Sequence, residues 1–408
     1  MKILFYNHTG TVSGAERVLL MILGRLDRDR YEPVVVCPEN SRLMNMTRAA
    51  GVKTRGLQVL EARFTWRIDR IFRYLLSFAQ VIRTARYVVQ DEEPDAIHAN
   101  SIRAGLVMSA ATLGLRVPVI WHAHDILPRH PLSTAIRLFA CTTSQNRILA
   151  VSHAVADRFR GVLLRTLTHR VPITVIHNAV DLERFQPNAD AGEEIRRELD
   201  LSATQPVVGI VGQLTPRKGQ LELIEAFAQV AGEIPDSLLL IIGEPLFNRD
   251  EEYAKKLKQV AQSLGIADRV CFLGNRDDVP NVMQGLDVLV VNSHQEPFAL
   301  TVLEGLASGT AVLATAVGGT PEMVRHGENG YLVSGRDRAE LSDAILTLLR
   351  DKNLRGQLGR NGRYDAIAKF SIERFMKEIE SIYRRVFESG KTPQHKNAAA
   401  FEVKLSAD

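Results

Sequence analysis

The 408-residue chain is predicted to be an α/β protein built of two Rossmann-like halves, and three observations predict it. Short apolar runs alternate with amphipathic stretches: 3–6, 33–37, 95–98, 118–121 and 148–151, then 207–211, 238–243, 270–273, 288–291 and 311–314. Such runs, flanked by turn residues and separated by helical patterns, read as buried parallel strands in βαβ units. Several runs end in a polar or glycine-containing loop that opens a helix: HTGTVSG (8–14), GQLTPRKGQ (212–220) and NSHQEPFA (292–299). A polar stretch, QPNADAGEEIRRELDLSATQ (186–205), separates the halves and reads as a linker with a short helix.

Composition is that of an ordinary globular protein, with 45% hydrophobic and 24% charged residues. No run approaches the roughly 18 apolar residues of a membrane span. The start, MKILFYNHTG, enters a strand without the apolar core of a signal peptide, so a cytoplasmic location is expected. Cys37, Cys141 and Cys271 are scattered, which suggests core thiols and excludes a metal spacing or disulfide framework. The net charge of +4 divides unevenly: residues 1–180 carry +11 and the remainder −7. A basic first half points to an anionic partner, and no nucleic-acid motif accompanies it.

The most informative stretch is 287–324, DVLVVNSHQEPFALTVLEGLASGTAVLATAVGGTPEMV. Residues 288–291 read as a strand, 298–308 as a helix ended by Gly309, and 311–314 as the next strand. The loop 292–299 thus lies at the carboxyl end of a strand, where open α/β sheets bind ligands. Glu296 precedes the helix, Glu304 lies two turns in, and the free N–H groups between them suit a phosphate. Phe298, Ala299, Leu300 and Thr301 supply that backbone. Carboxylates on either side of an anion site suit a sugar nucleotide.

This stretch resembles, along its whole length, the signature of the retaining glycosyltransferases of family four, which have the GT-B fold. Other segments extend the resemblance over most of 1–385. It implies two Rossmann-like domains facing across a cleft: 1–185 binding acceptor and 206–370 binding a nucleotide sugar. A helix at 371–389 would return to the first domain, and 390–408 shows no periodic pattern. It also implies that Glu296 faces the donor sugar and Glu304 holds the ribose hydroxyls. The implied donor is a UDP-sugar, or next a GDP-sugar, with no cofactor. The implied acceptor is a glycan, a lipid-linked glycan or another hydroxyl compound.

Further positions carry the same resemblance. Gly14 stands where backbone approaches the donor, in Ser13-Gly14 where the family usually has Gly-Gly. Glu16 stays open between a helix-start charge and a substrate role. His124-Asp125, at the end of the run 118–121, matches the family's His-Asp beside the sugar; with Asn100 they form the expected acceptor side. His122 is read as pointing to the other face. In 212–220, Lys218 and Gly219 match the diphosphate motif, but Gln213 replaces the family's phosphate-binding arginine, leaving Arg217 as its substitute. Gly318-Gly319 is expected to let backbone near the sugar. Thr320 reads as an N-cap and Glu322 as a structural first-turn acid. Asp27-Arg28-Asp29 lies in a charged stretch away from any strand end, so no metal site is assigned.

Phe64, Ile68, Ile71, Leu75, Phe78 and Ile82 form a helical stripe accompanied by Arg63, Arg67, Arg70, Arg73, Arg83 and Arg86. Two readings stay open: a core-packed helix with a solvated basic flank, or a contact between 63–86 and an anionic membrane at the inner face. The functional expectation is a metal-independent retaining hexosyltransferase. Its catalytic residues would be Glu296, Lys218 and His124. An inactive sugar-nucleotide-binding protein and a phosphorylase or epimerase of similar architecture are the alternatives.

Overall fold

The computed structural model describes residues 1–60, 68–141, 145–161, 172–246, 250–335 and 337–391; for 68–72 and 389–391 it describes backbone alone. Arg63, Phe64 and Arg67 of the basic stretch, and the tail 392–408, lie outside the described residues.

Two wholly parallel sheets organise the chain. The first has seven strands in the order β3-β2-β1-β4-β5-β6-β7: β1 Lys2–Tyr6, β2 Glu32–Pro38, β3 Lys53–Leu57, β4 Ala96–Ala99, β5 Val119–Ala123, β6 Arg147–Ala150 and β7 Ile173–Val175. The second has six, β10-β9-β8-β11-β12-β13: β8 Val207–Val211, β9 Leu238–Ile242, β10 Val270–Gly274, β11 Val288–Val291, β12 Ala311–Thr315 and β13 Tyr331–Val333. Central strands such as LLLII and VLVV are buried at every position, because helices cover both faces of each sheet. In both sheets the order reverses beside the first strand of the half, at β1/β4 and β8/β11. Those switch points open the crevices in which doubly wound sheets bind ligands.

The helices that matter for the site are α1 Gly14–Arg25, α2 Arg42–Ala49, α3 Ile68–Glu92, α4 Ile102–Ala111, α5 Pro131–Ala140, α6 His153–Arg160, α7 Ala189–Glu198, α8 Gln220–Glu233, α9 Glu251–Ser263, α10 Val279–Gln284 and α11 Leu300–Ala307. Three more close the chain: α12 Arg338–Arg350, α13 Lys352–Lys369 and α14 Ile372–Lys391. The last, α14, packs on the first sheet. Phe375, Ile379 and Tyr383 are fully buried with Phe5, Val18 and Ile120. The chain therefore crosses between the halves twice, and the crossings are tied where Val180 N–H donates to Phe370 O at 3.0 Å.

The stripe on α3 departs from its expected course. Leu75 is 62% exposed and Leu76 57%, while Val81, Ala85, Val88 and Val89 carry the packing. The apolar period is real, but at Leu75 and Leu76 the helix runs beyond the core. Arg86 is not a free flank either: its guanidinium donates to Ala111 O and Leu113 O, capping the end of α4. Arg73 and Arg83 remain exposed.

Candidate active site

The site is assembled at the carboxyl ends of β8 and β11. After β8, a single 3-10 turn, Pro216–Lys218, ends at Gly219 with φ +69°. A Cβ there would stand 2.0 Å from Asn292 O, so only glycine lets the two loops close. Asn292 Nδ2 donates to Gly219 O, and His294 N–H to Arg217 O. These bonds staple the 215–219 loop to the 292–296 loop. They bring Lys218 Nζ to 2.7 Å from Glu296 Oε2, which Ser293 Oγ also reaches at 2.9 Å.

Glu296 is 6% exposed. Burial alone would push its carboxyl up. The Lys218 and Arg217 charges, with hydrogen bonds from Lys218 and Ser293, outweigh burial and hold it below its ordinary value. The exposed Arg217 donates from its guanidinium to Gln295 O at 3.4 Å. Gln213 is directed elsewhere: its amide donates to Asp250 at 2.8 Å. An arginine at 213 would meet that carboxylate.

Helix α11 starts at Leu300, two residues later than its apolar pattern suggested, because Ala299 is extended. No side chain caps it, so its first N–H groups face the cleft available to an anion. Phe298 is 4% exposed and stacks on His177, with ring centroids 4.9 Å apart; its side chain anchors the loop. Glu304 lies one turn further on, 7% exposed. Burial pushes its carboxyl up, against the opposing charges of Arg17, Arg184 and Lys218.

The first half supplies the opposite wall. Gly14 opens α1, and a Cβ on it would be 3.8 Å from Leu300 Cδ1 in otherwise open space. Ser13 keeps that space clear, since its Oγ and N–H both donate to Glu16 Oε2 at 2.6 and 3.0 Å. Glu16 is 3% exposed and also accepts from Asn7 Nδ2, so it serves the loop and does not reach the cleft. His124 Nε2 lies 3.2 Å from Asn100 Oδ1. An amide oxygen only accepts, so Nε2 carries the proton and Nδ1 is left as an acceptor. Burial pushes this imidazole down to about 3, so it is neutral at physiological pH. Asn100 is fully buried and donates to Asn7 Oδ1 and Ala15 O. Its place is behind His124, holding it, and not at the cleft surface expected of an acceptor contact. Asp125 is exposed, with Arg103, Arg217 and Glu296 as its charged neighbours. His122 is fully buried, with Nδ1 3.1 Å from His98 Nε2 and its ring against His124.

The 318–322 turn does more than its sequence suggests. Gly318 (φ +56°) and Gly319 leave no room for a Cβ. A Cβ on Gly318 would lie 1.9 Å from Glu296 O, and one on Gly319 2.3 Å from Pro297 O and 2.9 Å from Ser152. Their smallness lets the Glu296 loop and the first half close against them. Thr320 caps no helix, because Thr320–Glu322 is a lone 3-10 turn capped by Gly319. Glu322 instead reaches the other half. It accepts from His153 N–H and Ala154 N–H at 2.8 and 2.9 Å, at the start of α6, and from His177 Nε2 at 2.9 Å. A carboxylate at a helix N-terminus is favourable, and this one clasps the two halves. Among the described residues, His153, His177 and Glu322 form the group whose donor atoms lie close enough for a metal ion, within 4.8 Å. The carboxylate there already has three donors.

Comparison with known proteins places this geometry. The model of glycosyl transferases group 1 matches residues 192–365, and that of glycosyltransferase family 4 matches 12–184. The chain belongs to the family 4 glycosyltransferases. This glycosyltransferase is 30% identical over 340 residues to a D-inositol 3-phosphate glycosyltransferase of Mycobacterium ulcerans, covering 76% of this chain and 68% of that protein. It is 24% identical over 391 residues to the UDP-Gal:α-D-GlcNAc-diphosphoundecaprenol α-1,3-galactosyltransferase of Escherichia coli, covering 91% and 94%. The crystal structure of Anabaena HepE with UDP-glucose superposes with a TM-score of 0.79 at 27% identity, over 94% of this chain and all of that one. The fold of the glycosyltransferase is GT-B, with a Rossmann-like sheet in each of two domains. No described helix is long and apolar enough to cross a membrane.

Proposed function

We propose that this glycosyltransferase moves a hexose, with retention of anomeric configuration and without a metal, from a nucleotide-diphosphate sugar to a hydroxyl of a glycan or lipid-linked acceptor. The observation that carries the reading is the convergence of the Lys218–Glu296 pair, the uncapped α11 and the buried Glu304 at one cleft wall. The donor lies on the second domain. Its diphosphate rests on the 300–301 N–H groups and Lys218, and its ribose hydroxyls bond Glu304. Glu296 orients the sugar, with the neutral His124 and Asp125 on the facing wall, where the acceptor enters.

As the anomeric C–O bond breaks, negative charge grows on the departing diphosphate. Groups fixed in advance at that position stabilise it most where water is excluded. Lys218, Arg217 and the α11 N–H groups are such a set, and they meet the charge without a divalent ion. The acceptor hydroxyl then bonds the anomeric carbon from the face the diphosphate leaves, and its proton passes to the departing diphosphate oxygen. A UDP-sugar is the first choice of donor, supported by the UDP-glucose bound to HepE, and a GDP-sugar the second. Incubating the protein with UDP-hexose and an acceptor, and reading the product's anomeric configuration by NMR, tests the proposal. Retained configuration and undiminished turnover in EDTA are expected. An inverted product contradicts the retaining reading, and strict dependence on added metal contradicts this account of the leaving group.

A lipid-linked acceptor would be met at the inner membrane face, and the 63–86 stretch is the surface proposed to dock there. The exposed Leu75 and Leu76 beside the exposed Arg73 support it, as an apolar edge with basic flank suits an anionic interface. The wild type should co-sediment with anionic liposomes at low salt, and the Arg67→Glu/Arg70→Glu/Arg73→Glu variant should not. Failure of the wild type to sediment would reduce this helix to a protein-packing role.

A further inference from the structure

We propose that Arg17 adds a further cation to the donor diphosphate beside Lys218 and Arg217, supplied across the cleft by the opposite domain. This rests on the nucleotide-sugar reading above and deepens it.

The donor's own domain is short of cations. Gln213 faces Asp250, Lys218 is engaged by Glu296, and Arg217 is drawn toward Gln295 O. The other domain places a cation opposite the gap. Arg17 lies in the first turn of α1, and its Nη1 is 3.6 Å from Glu304 Oε1. The Arg17 side chain is 60% exposed, while that of Glu304 is 9% exposed. The arginine thus lies largely in solvent, whereas the carboxylate is buried. The distance is that of an ion pair with no close hydrogen bond, so it yields readily to a competing ligand.

Direction matters as much as distance. Side chains on a helix lean toward its N-terminus. Glu304 therefore leans back over the first turn of α11, beside the uncapped N–H groups of Leu300 and Thr301. A Cβ on Gly14 would touch the Leu300 side chain, so the start of α1 lies close to the first residue of α11 and to a phosphate seated there. The Arg17 charge favours the ionised form of Glu304, against the burial that pushes its carboxyl up. Ribose hydroxyls arriving at Glu304 replace that contact and release the guanidinium to the adjacent diphosphate, whose oxygens match its fork of donors. The cleft then closes on its donor because the donor bridges charges from both walls.

The discriminating experiment compares UDP with uridine, and GDP with guanosine, by competition calorimetry on wild type, Arg17→Gln and Arg17→Lys. One charge-assisted contact to phosphate changes affinity by roughly tenfold or more. Arg17→Gln should weaken the diphosphate by that factor and leave the nucleoside nearly unchanged, and Arg17→Lys should recover part of the loss. Equal losses for nucleoside and diphosphate would make Arg17 a partner of Glu304 alone and overturn the proposal, as would an unchanged diphosphate affinity. A wild type that binds neither diphosphate would instead overturn the nucleotide-sugar reading on which it rests.

Discussion

Replacing Lys218 by alanine should lower kcat/KM by roughly 10²–10³-fold. Lys218 is held against Glu296 by a loop that Gly219 and Asn292 lock in place. Its charge faces the position where the leaving group gathers negative charge, so its loss falls on the transition state and appears in kcat. The variant also strips Glu296 of its main compensating charge. Breaking such a buried pair from one side destabilises by up to about 3–5 kcal/mol, with Arg217 and Ser293 offsetting part of it. Circular dichroism and the melting temperature of Lys218→Ala separate the two effects. Lys218→Arg, which keeps the charge, should melt near wild type. The pH dependence carries a further sign. A carboxyl held below its ordinary value in the folded state contributes stability above that value and loses it as pH falls through the lowered one. Lys218→Ala should therefore flatten that acid-side loss. A folded Lys218→Ala enzyme with wild-type kcat/KM would place the diphosphate elsewhere.

Glu304→Ala should raise the donor KM by roughly 10–100-fold while kcat changes little. A carboxylate accepting two ribose hydroxyl bonds acts equally in ground and transition states, and such uniform binding appears in KM. Hydrogen bonds to a charged group contribute about 1.5–3 kcal/mol, which sets the factor. Burial already biases this carboxyl toward its neutral form, so donor affinity should also fall at acid pH as Glu304 protonates. Steady-state kinetics in the donor across pH checks both. An unchanged donor KM would remove Glu304 from the ribose.

The fold was legible because its strands are buried on both faces. Runs such as VVGIV and VLVV carry no polar residue to alternate with, and this is the mark of parallel sheets under helices. The positions of Glu296 and Lys218 followed, since each lies just past such a run. Contacts between the halves were not legible. Arg17 and Glu304 are an ion pair only because α1 and α11 meet across the cleft, and nothing local to either residue marks it. Glu322 read as the first-turn acid of its own helix, whereas the helix it caps is α6 in the other half. Gly318 and Gly319 also pack against Glu296 O and Pro297 O where a Cβ would stand, a closure between loops that the local sequence does not mark. The stripe on α3 shows the remaining limit. Periodicity reports which face is apolar, and how far the core extends along the helix, as at Leu75, depends on neighbours that the pattern does not contain.

The central claim is that one cleft, centred on Lys218, Glu296 and Glu304, takes a nucleotide-diphosphate sugar. Melting temperatures of the wild type, Lys218→Ala and Glu304→Ala across a panel of UDP- and GDP-sugars test it most directly. A ligand present at about 100 times its Kd stabilises the folded state by about 2.7 kcal/mol, a shift such melts resolve. The account predicts that one base and one sugar raise the wild-type melting temperature, and that both variants lose most of that shift. A panel that leaves the wild type unmoved, or a shift that survives both substitutions intact, would contradict it.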